Sequence, residues 1–434
     1  MLATSTFPSP NSSRTILRQA ASLLLYQAVL HDTVGQAFLE LLQVLGNTEG
    51  DRLRCLQAYG RWFRTLAARG QSWRDYLIGR IALDDNPFSQ QIQHVGSVAA
   101  LPPALVEAAR HDLQALQGLY RSDGKHLAER VQVACQLPEP PVFWTTPLQP
   151  HFLHDCSDWG DALDLLGDCY RRHGIGLFGQ FQALRWQDGR LHGIPHPDPV
   201  CLDDLVGYPD QQALLVKNTE FLLAGLPALH ALLHGSRGSG KSSLVKALLN
   251  QYGDRGLRLI EVGKAELQAL PTIVESLRQQ PQKFIVFVDD LSFEDDDDTF
   301  KSLKVVLEGS LTARASNVAV YATSNRRHLV REFFAERPSP IESEEVHAWD
   351  TQQEKLSFSD RFGLTLTFTP ANQDTYLEIV HHLAEQAAIP LAPADLEFRA
   401  KQWATRHNGR SGRSARQFVD FLQAELQAGV AGLG

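Results

Sequence analysis

Cysteine is scarce and poorly placed for a framework: Cys55, Cys135, Cys156, Cys169 and Cys201 are scattered, odd in number and never spaced C-x-x-C. A disulfide scaffold and a cysteine-rich zinc site are thereby excluded, and the thiols read as reduced in a cytosolic protein. Long apolar runs are missing too. The longest, Ala20–Leu30, is too short to cross a bilayer and is interrupted by Ser22 and Gln27, so no membrane insertion is expected. The start, MLATSTFPSPNSSR, lacks a basic segment leading into an apolar stretch, so no secretory leader is read there and a cytoplasmic location is expected. Positive charge is not in excess. The formal net charge of −9 argues against wholesale coating of nucleic acid but leaves room for a local basic groove. His151, His154, His381 and His382 lack enough Asp, Glu or Cys partners at ligand spacing to suggest a metal site. Trp62, Phe63, Trp73 and Tyr76 recur at helical period and read as core.

What is present is a chain of 434 residues, 43% hydrophobic and 21% charged, enough for two or three folded units. From Ser12 to about Arg172 the apolar pattern is helical. The stretch SSRTILRQAASLLLYQAVL reads as one helix behind a Ser cap, with others at Thr33–Leu45, Asp51–Ala68, Ser72–Leu83, Ala104–Tyr120 and Trp159–Arg172. Asn86-Pro87 and Pro138–Pro141 read as loops. Near Phe178 the pattern begins to alternate, and Asp188-Gly189 signals a hairpin. His196–Asp203 reads as a linker. Beyond it Leu229–Leu233, Leu257–Val262, Phe284–Val288, Asn317–Ala322 and Leu364–Phe368 are strand candidates separated by helical stretches, which predicts a parallel sheet covered on both faces. From Asn372 onward the pattern is helical again, with a basic loop at Arg406–Arg416.

The chemistry concentrates after the first strand of this sheet. Gly235, Ser236, Arg237, Gly238, Ser239, Gly240, Lys241 and Ser242 match G-x-x-x-x-G-K-[ST] in full, between an apolar strand and the helix SSLVKALLNQY that takes in Ser243. The spacing predicts a loop whose backbone N–H groups surround phosphate oxygens. Lys241 would place a charge on the outer phosphates, and the Ser242 hydroxyl would ligate Mg²⁺. The helix begins with its positive end toward those phosphates. Downstream, FIVFVDDL ends a strand in two carboxylates: Asp289 is the expected holder of the Mg²⁺ shell and Asp290 the group that orients the attacking water.

From about Leu202 onward the sequence resembles AAA+ ATPases. LDDLVGYPDQQ, with Val206 and Gly207, is similar to the family's entry segment near the adenine. In YATSNRRHL a strand ends in Thr323-Ser324-Asn325, similar to the family's sensor-1 polar residue (Asn325 in this chain), and Arg361 in LSFSDRFGLTLTF stands where the family keeps an arginine finger. Arg416, or Arg413, in GRSGRSARQFVDFL matches its sensor-2 arginine. DDLSFE, EGSLTARASNV, ATSNRRHL and SDRFGL together resemble a bacterial AAA+ group described only as ATP-binding proteins with a domain of unknown function. The resemblance implies an α/β P-loop core over 202–370 and a helical lid over 371–434; the helical pattern before it reads as a mainly helical N-terminal domain over 1–175, joined through a hairpin and linker at 176–201. The resemblance further implies ATP and Mg²⁺ as ligands, ATP hydrolysis and a homo-oligomer, a hexameric or open ring, but no cellular task; the expected output is remodelling of a protein or nucleoprotein partner recognised by the N-terminal domain. The alternative is a nucleotide-gated loader or scaffold with little turnover, which a DNA link would suit.

Two departures bear on the reading. Many AAA+ enzymes carry Glu where this chain has Asp290. The shorter reach implies slower turnover, with Glu294 as a lesser substitute. The segment GKAELQAL (Gly263–Leu270) has no aromatic residue, which disfavours polypeptide threading by a hydrophobic grip. The acidic run Glu294–Asp298 could hold a metal or a basic partner, but complementing the following helix start is the plainer reading. Arg326 and Arg327 could touch phosphates or a neighbouring subunit, or could simply be solvated.

Overall fold

The structure, a computed structural model, describes residues 13–47, 51–292, 299–308, 314–325, 361–407 and 409–431. The run Glu294–Asp298, Arg326 and Arg327 lie outside them. The chain divides into two compact units, Met1–Gln180 and Phe181–Gly434.

The first unit is built from helices α1 (Ser13–Ala21), α2 (Thr33–Gly46), α3 (Arg52–Arg69), α4 (Trp73–Ala82), α5 (Pro87–Val95), α6 (Pro103–Tyr120), α7 (Gly124–Cys135), α8 (Leu163–His173) and α9 (Gly176–Gln180). Side-chain caps start most of the longer ones: Asp32, Asp51, Ser72 and Asp123 each accept from the first free backbone N–H groups. Trp62, Trp73 and Tyr76 are buried as expected, with Phe38 stacked on Trp73 at 3.9 Å between ring centroids. Two expectations fail here. Asn86-Pro87 is not a loop but the cap and first residue of α5, where the missing proline N–H costs nothing. The first helix stops at Ala21 rather than running to Leu30. Asp112, wholly buried, takes the backbone N–H groups of Leu24, Leu25 and Tyr26 at 2.7–3.0 Å, and the chain then turns through a 3₁₀ segment at Tyr26–Leu30.

The second unit centres on a sheet of seven strands: β1 (Ala183–Gln187), β2 (Arg190–Gly193), β3 (Ala231–Gly235), β4 (Leu257–Val262), β5 (Lys283–Val288), β6 (Val318–Ser324) and β7 (Leu364–Phe368), in the order β2-β1-β4-β5-β6-β3-β7. Every pair is parallel except β1–β2. Five strands were expected and five of the seven stand where they were read. The hairpin does form, with Asp188 at φ +52 and Gly189 at φ +76, but it continues the sheet instead of standing outside it, because β1 pairs with β4. Alternate residues of β5 and β6 are buried on both faces. Ile285, Phe287, Ala319 and Tyr321 pack with Leu215 and Leu222 of α10 (Pro209–Leu223) and Val245 and Leu248 of α11 (Lys241–Tyr252). Val286, Val288, Val320 and Ala322 turn the other way and are equally buried. Helices α12 (Leu270–Leu277) and α13 (Thr299–Glu308) complete the core. The lid is α14 (Gln373–Gln386), α15 (Pro393–Arg406) and α16 (Gly412–Ala431), with a small core of its own around Tyr376, Ala400, Phe418 and Val419. No helix among the described residues is long and apolar enough to cross a membrane.

Candidate functional site

The loop after β3 owes its path to two contacts. Gly235, at φ +132, lies so close to β7 that a Cβ would come within 2.0 Å of the Phe368 carbonyl oxygen, and Ser236 N–H donates to that same oxygen at 2.9 Å. Only glycine fits there. Gly238, at φ +71, faces the lid: a Cβ would meet Ser411 Oγ at 2.9 Å and Arg413 Cβ at 3.2 Å, and Arg413 N–H reaches the Gly238 carbonyl at 3.4 Å. Lys241 opens α11 and is buried. Its Nζ donates to the carbonyls of Gly235 (2.9 Å) and Ser236 (2.6 Å) and reaches Asn325 Oδ1 at 3.4 Å. Burial holds its ammonium below the usual lysine range, opposed by the charges of Asp289 and Asp290.

β5 delivers its two carboxylates at the same edge. Asp289 Oδ1 accepts from Ser242 Oγ at 2.6 Å and from Thr323 Oγ1 at 2.5 Å. Asp290 turns into the left-handed region at φ +51, its N–H donates to Thr323 Oγ1 at 2.9 Å, and its Oδ1 accepts from Asn325 Nδ2 at 2.6 Å. The register explains the meeting: Val288 pairs with Ala322, so the residues just beyond, Asp289 and Thr323, face one another across the strand ends.

These groups line one cavity of about 790 Å³. Arg237, Gly238, Ser239, Gly240, Lys241, Ser242 and Ser243 form its floor, with Asp289, Asp290 and Asn325 beside them; Val206 and Gly207 stand at the far end, and Arg413 and Arg416 enter from the lid. Both lid arginines reach it, so the geometry does not choose between them. Gly235 and Ser236 shape the loop without lining the cavity. Arg361 does not line it either. Leu364 pairs with Ala231, the first residue of β3, so Arg361 sits at the opposite edge of the sheet from the loop that follows Gly235.

Sequence reading missed several members. Thr323 was read only as part of the Thr323-Ser324-Asn325 strand end, without its own tie to the carboxylate of Asp289 and the N–H of Asp290. Val200, Tyr208, Ile379 and Leu383 form the apolar end; three of them come from a linker and a helix whose folding back no local pattern announces. Tyr208, at φ +56, donates its hydroxyl to the Thr369 carbonyl at 2.5 Å.

A cavity lined by backbone amides, two lysines (Lys241, Lys246), three arginines (Arg237, Arg413, Arg416) and aliphatic side chains can hold a polyphosphate attached to a flat ring. Ser242 Oγ and the Asp289 carboxylate, adjacent at the phosphate end, are the hard oxygen donors that Mg²⁺ takes.

The strand order, the loop from β3 into α11, the strand-end carboxylates of β5 and the three-helix lid define an AAA+-type P-loop protein. The model of a family described as protein of unknown function (DUF815) matches residues 179–426, more than half of the chain, and the chain belongs to that family. The match starts at the hairpin, in keeping with a sheet that begins at β1. No curated protein matches the chain. Similar solved structures include Thermotoga maritima RuvB, the Holliday junction branch migration motor, at 13% identity and a TM-score of 0.33, covering 51% of this chain and 72% of that one. Two substituted forms of the same motor give 14% and 13% identity and TM-scores of 0.34 over the same shares. At that distance the likeness says nothing of function.

Proposed function

We propose that this protein binds ATP with Mg²⁺ and hydrolyses it. The observation that carries the reading is the convergence of Lys241, the Ser242–Asp289 pair and the Asp290–Asn325 pair at one end of a single cavity. Ser242 and Asp289 would hold the metal, which when bound draws charge from the phosphate oxygens. The P-loop amides and Lys241 bind the outer phosphates, Asp290 orients the attacking water, and Asn325 reads its position. Arg413 or Arg416 contributes charge from the lid. Val206, Gly207 and the apolar end take the base. Arg361, at the sheet's other edge, cannot serve the cavity of its own chain, and this supports a ring in which it serves a neighbour's. The output is remodelling of a protein or nucleoprotein partner recognised through the N-terminal unit, in the cytoplasm.

A second reading, an ATP-gated loader or scaffold with little turnover, draws on one observation. Asp290 is a short carboxylate, turned at φ +51 and engaged by Asn325 at 2.6 Å, which favours slow chemistry. Asp290→Asn tests both. The expected result is retained ATP binding with turnover reduced by a factor on the order of 10²–10⁴, the usual worth of a general base. Unchanged turnover removes Asp290 from its role. Negligible turnover in the unsubstituted protein, with tight binding, selects the second reading.

A further inference from the structure

We propose that Thr323 is a positioning residue that sets both strand-end carboxylates at once; this rests on the ATP and Mg²⁺ reading above. Its one hydroxyl is used in both directions. The O–H donates to Asp289 Oδ1 at 2.5 Å, and a lone pair of the same oxygen accepts the N–H of Asp290 at 2.9 Å. The backbone next to it is tied as well, with Leu291 N–H donating to the Thr323 carbonyl at 2.7 Å. Thr323 is itself buried, at 2% exposure, on β6.

Two consequences follow from that arrangement. Asp289 Oδ1 already takes the Ser242 O–H at 2.6 Å, so with Thr323 it carries two donors, which fix the carboxylate of a residue that lines the cavity. Asp290, meanwhile, holds a left-handed backbone that an aspartate adopts only at a cost. The bond from its N–H to Thr323 and the bond from Asn325 to its side chain are what retain it there. Removal of the hydroxyl therefore frees the metal-binding carboxylate to rotate and lets the Asp290 turn relax, although neither residue has been changed. Thr323 acts through these two residues and needs no contact of its own with nucleotide.

The test compares Thr323→Val, which keeps the shape and removes the hydroxyl, with Thr323→Ser, which keeps the hydroxyl and loses a methyl. Binding of a fluorescent ATP analogue is titrated with and without MgCl₂, and kcat and KM for ATP are measured alongside. Thr323→Val is expected to bind the metal-free analogue within about twofold of the unsubstituted protein. Its half-saturating Mg²⁺ should rise, and its kcat fall, by about 10–100-fold, the range for losing a group that orients a metal-binding side chain, with KM little changed. Thr323→Ser should restore both to within about threefold. A packing role predicts the reverse order, with Ser more damaging than Val and no movement in Mg²⁺ dependence, and that result overturns the proposal. So does a Val variant with unaltered Mg²⁺ dependence and kcat. If the unsubstituted protein neither binds the analogue nor hydrolyses ATP, the underlying reading fails, and the role of Thr323 falls with it.

Discussion

Truncating Asp112 to alanine should unfold the N-terminal unit far more readily than any comparable surface change. The carboxylate is wholly buried and accepts three main-chain N–H groups where the chain leaves α1: Leu24 at 2.9 Å, Leu25 at 2.7 Å and Tyr26 at 3.0 Å. Each buried donor left without a partner costs about 1–3 kcal/mol. Leu24 is 60% exposed, so water can reach part of the break and the sum falls at the lower end, about 3–5 kcal/mol. A unit of this size is stable by about 10–25 kcal/mol at most, so the loss is a substantial share. Asp112→Asn keeps one acceptor oxygen for the converging N–H groups and should lose only about 1–2 kcal/mol. Urea unfolding followed by tryptophan fluorescence suits the measurement, since Trp62, Trp73 and Trp159 are among the fully buried side chains of this unit. Nucleotide binding, whose residues all lie from residue 200 onward, should persist in the folded variants. An alanine variant within about 1 kcal/mol of the original, or an asparagine variant as damaging as alanine, would refute the account of the break at Ala21.

Lys241→Ala should abolish ATP binding while costing the fold little, because the carbonyls that its ammonium occupies belong to Gly235 and Ser236, both partly exposed; equilibrium binding and a thermal melt check the two halves. Arg361→Ala should bind ATP normally yet lose turnover by on the order of 10³-fold. Mixing it with Lys241→Ala protein should recover part of the rate, and a rate independent of protein concentration with no recovery would point to a working monomer. Burial pushes the Asp84 carboxyl up to about 6, above its unfolded value. Its contribution to stability is therefore complete below about pH 4 and lost as pH rises through 6. Asp84→Asn should accordingly leave stability unchanged at pH 4 and raise it at pH 7.5, by about 3 kcal/mol, read from urea unfolding at the two pH values.

The parts of this protein written in local patterns were readable, and those written in long-range contacts were not. The P-loop could be read because its glycines, lysine and serine are adjacent in sequence and their spacing is fixed by the phosphates they surround. β4 and β5 were found because a buried parallel strand leaves a short apolar run between helical stretches, and β7, at the edge of the sheet, because LTLTF alternates. The break at Ala21 was invisible: the partner of Leu24, Leu25 and Tyr26 is Asp112, a residue on another helix. The membership of β1 and β2 in the sheet was hidden for the same reason, since the hairpin signal fixes the turn and says nothing about β4. At the site, Lys241, Ser242, Asp289, Asp290 and Asn325 were legible as chemistry. Thr323 and the aliphatic wall of Ile379 and Leu383 act by where the fold places them.

The motif G-x-x-x-x-G-K-[ST] leaves its four middle positions unspecified, yet in this chain the third of them, Gly238, is as constrained as the named ones. Its constraint comes from the first turn of α16, which rests on it from far along the sequence. The loop is thus a bearing surface as well as a phosphate cradle, and any side chain placed there wedges the lid away from the pocket. A genetic lesion at Gly238 would present as a nucleotide defect with every phosphate-binding group intact. A second change that trims Ser411 would be the natural suppressor.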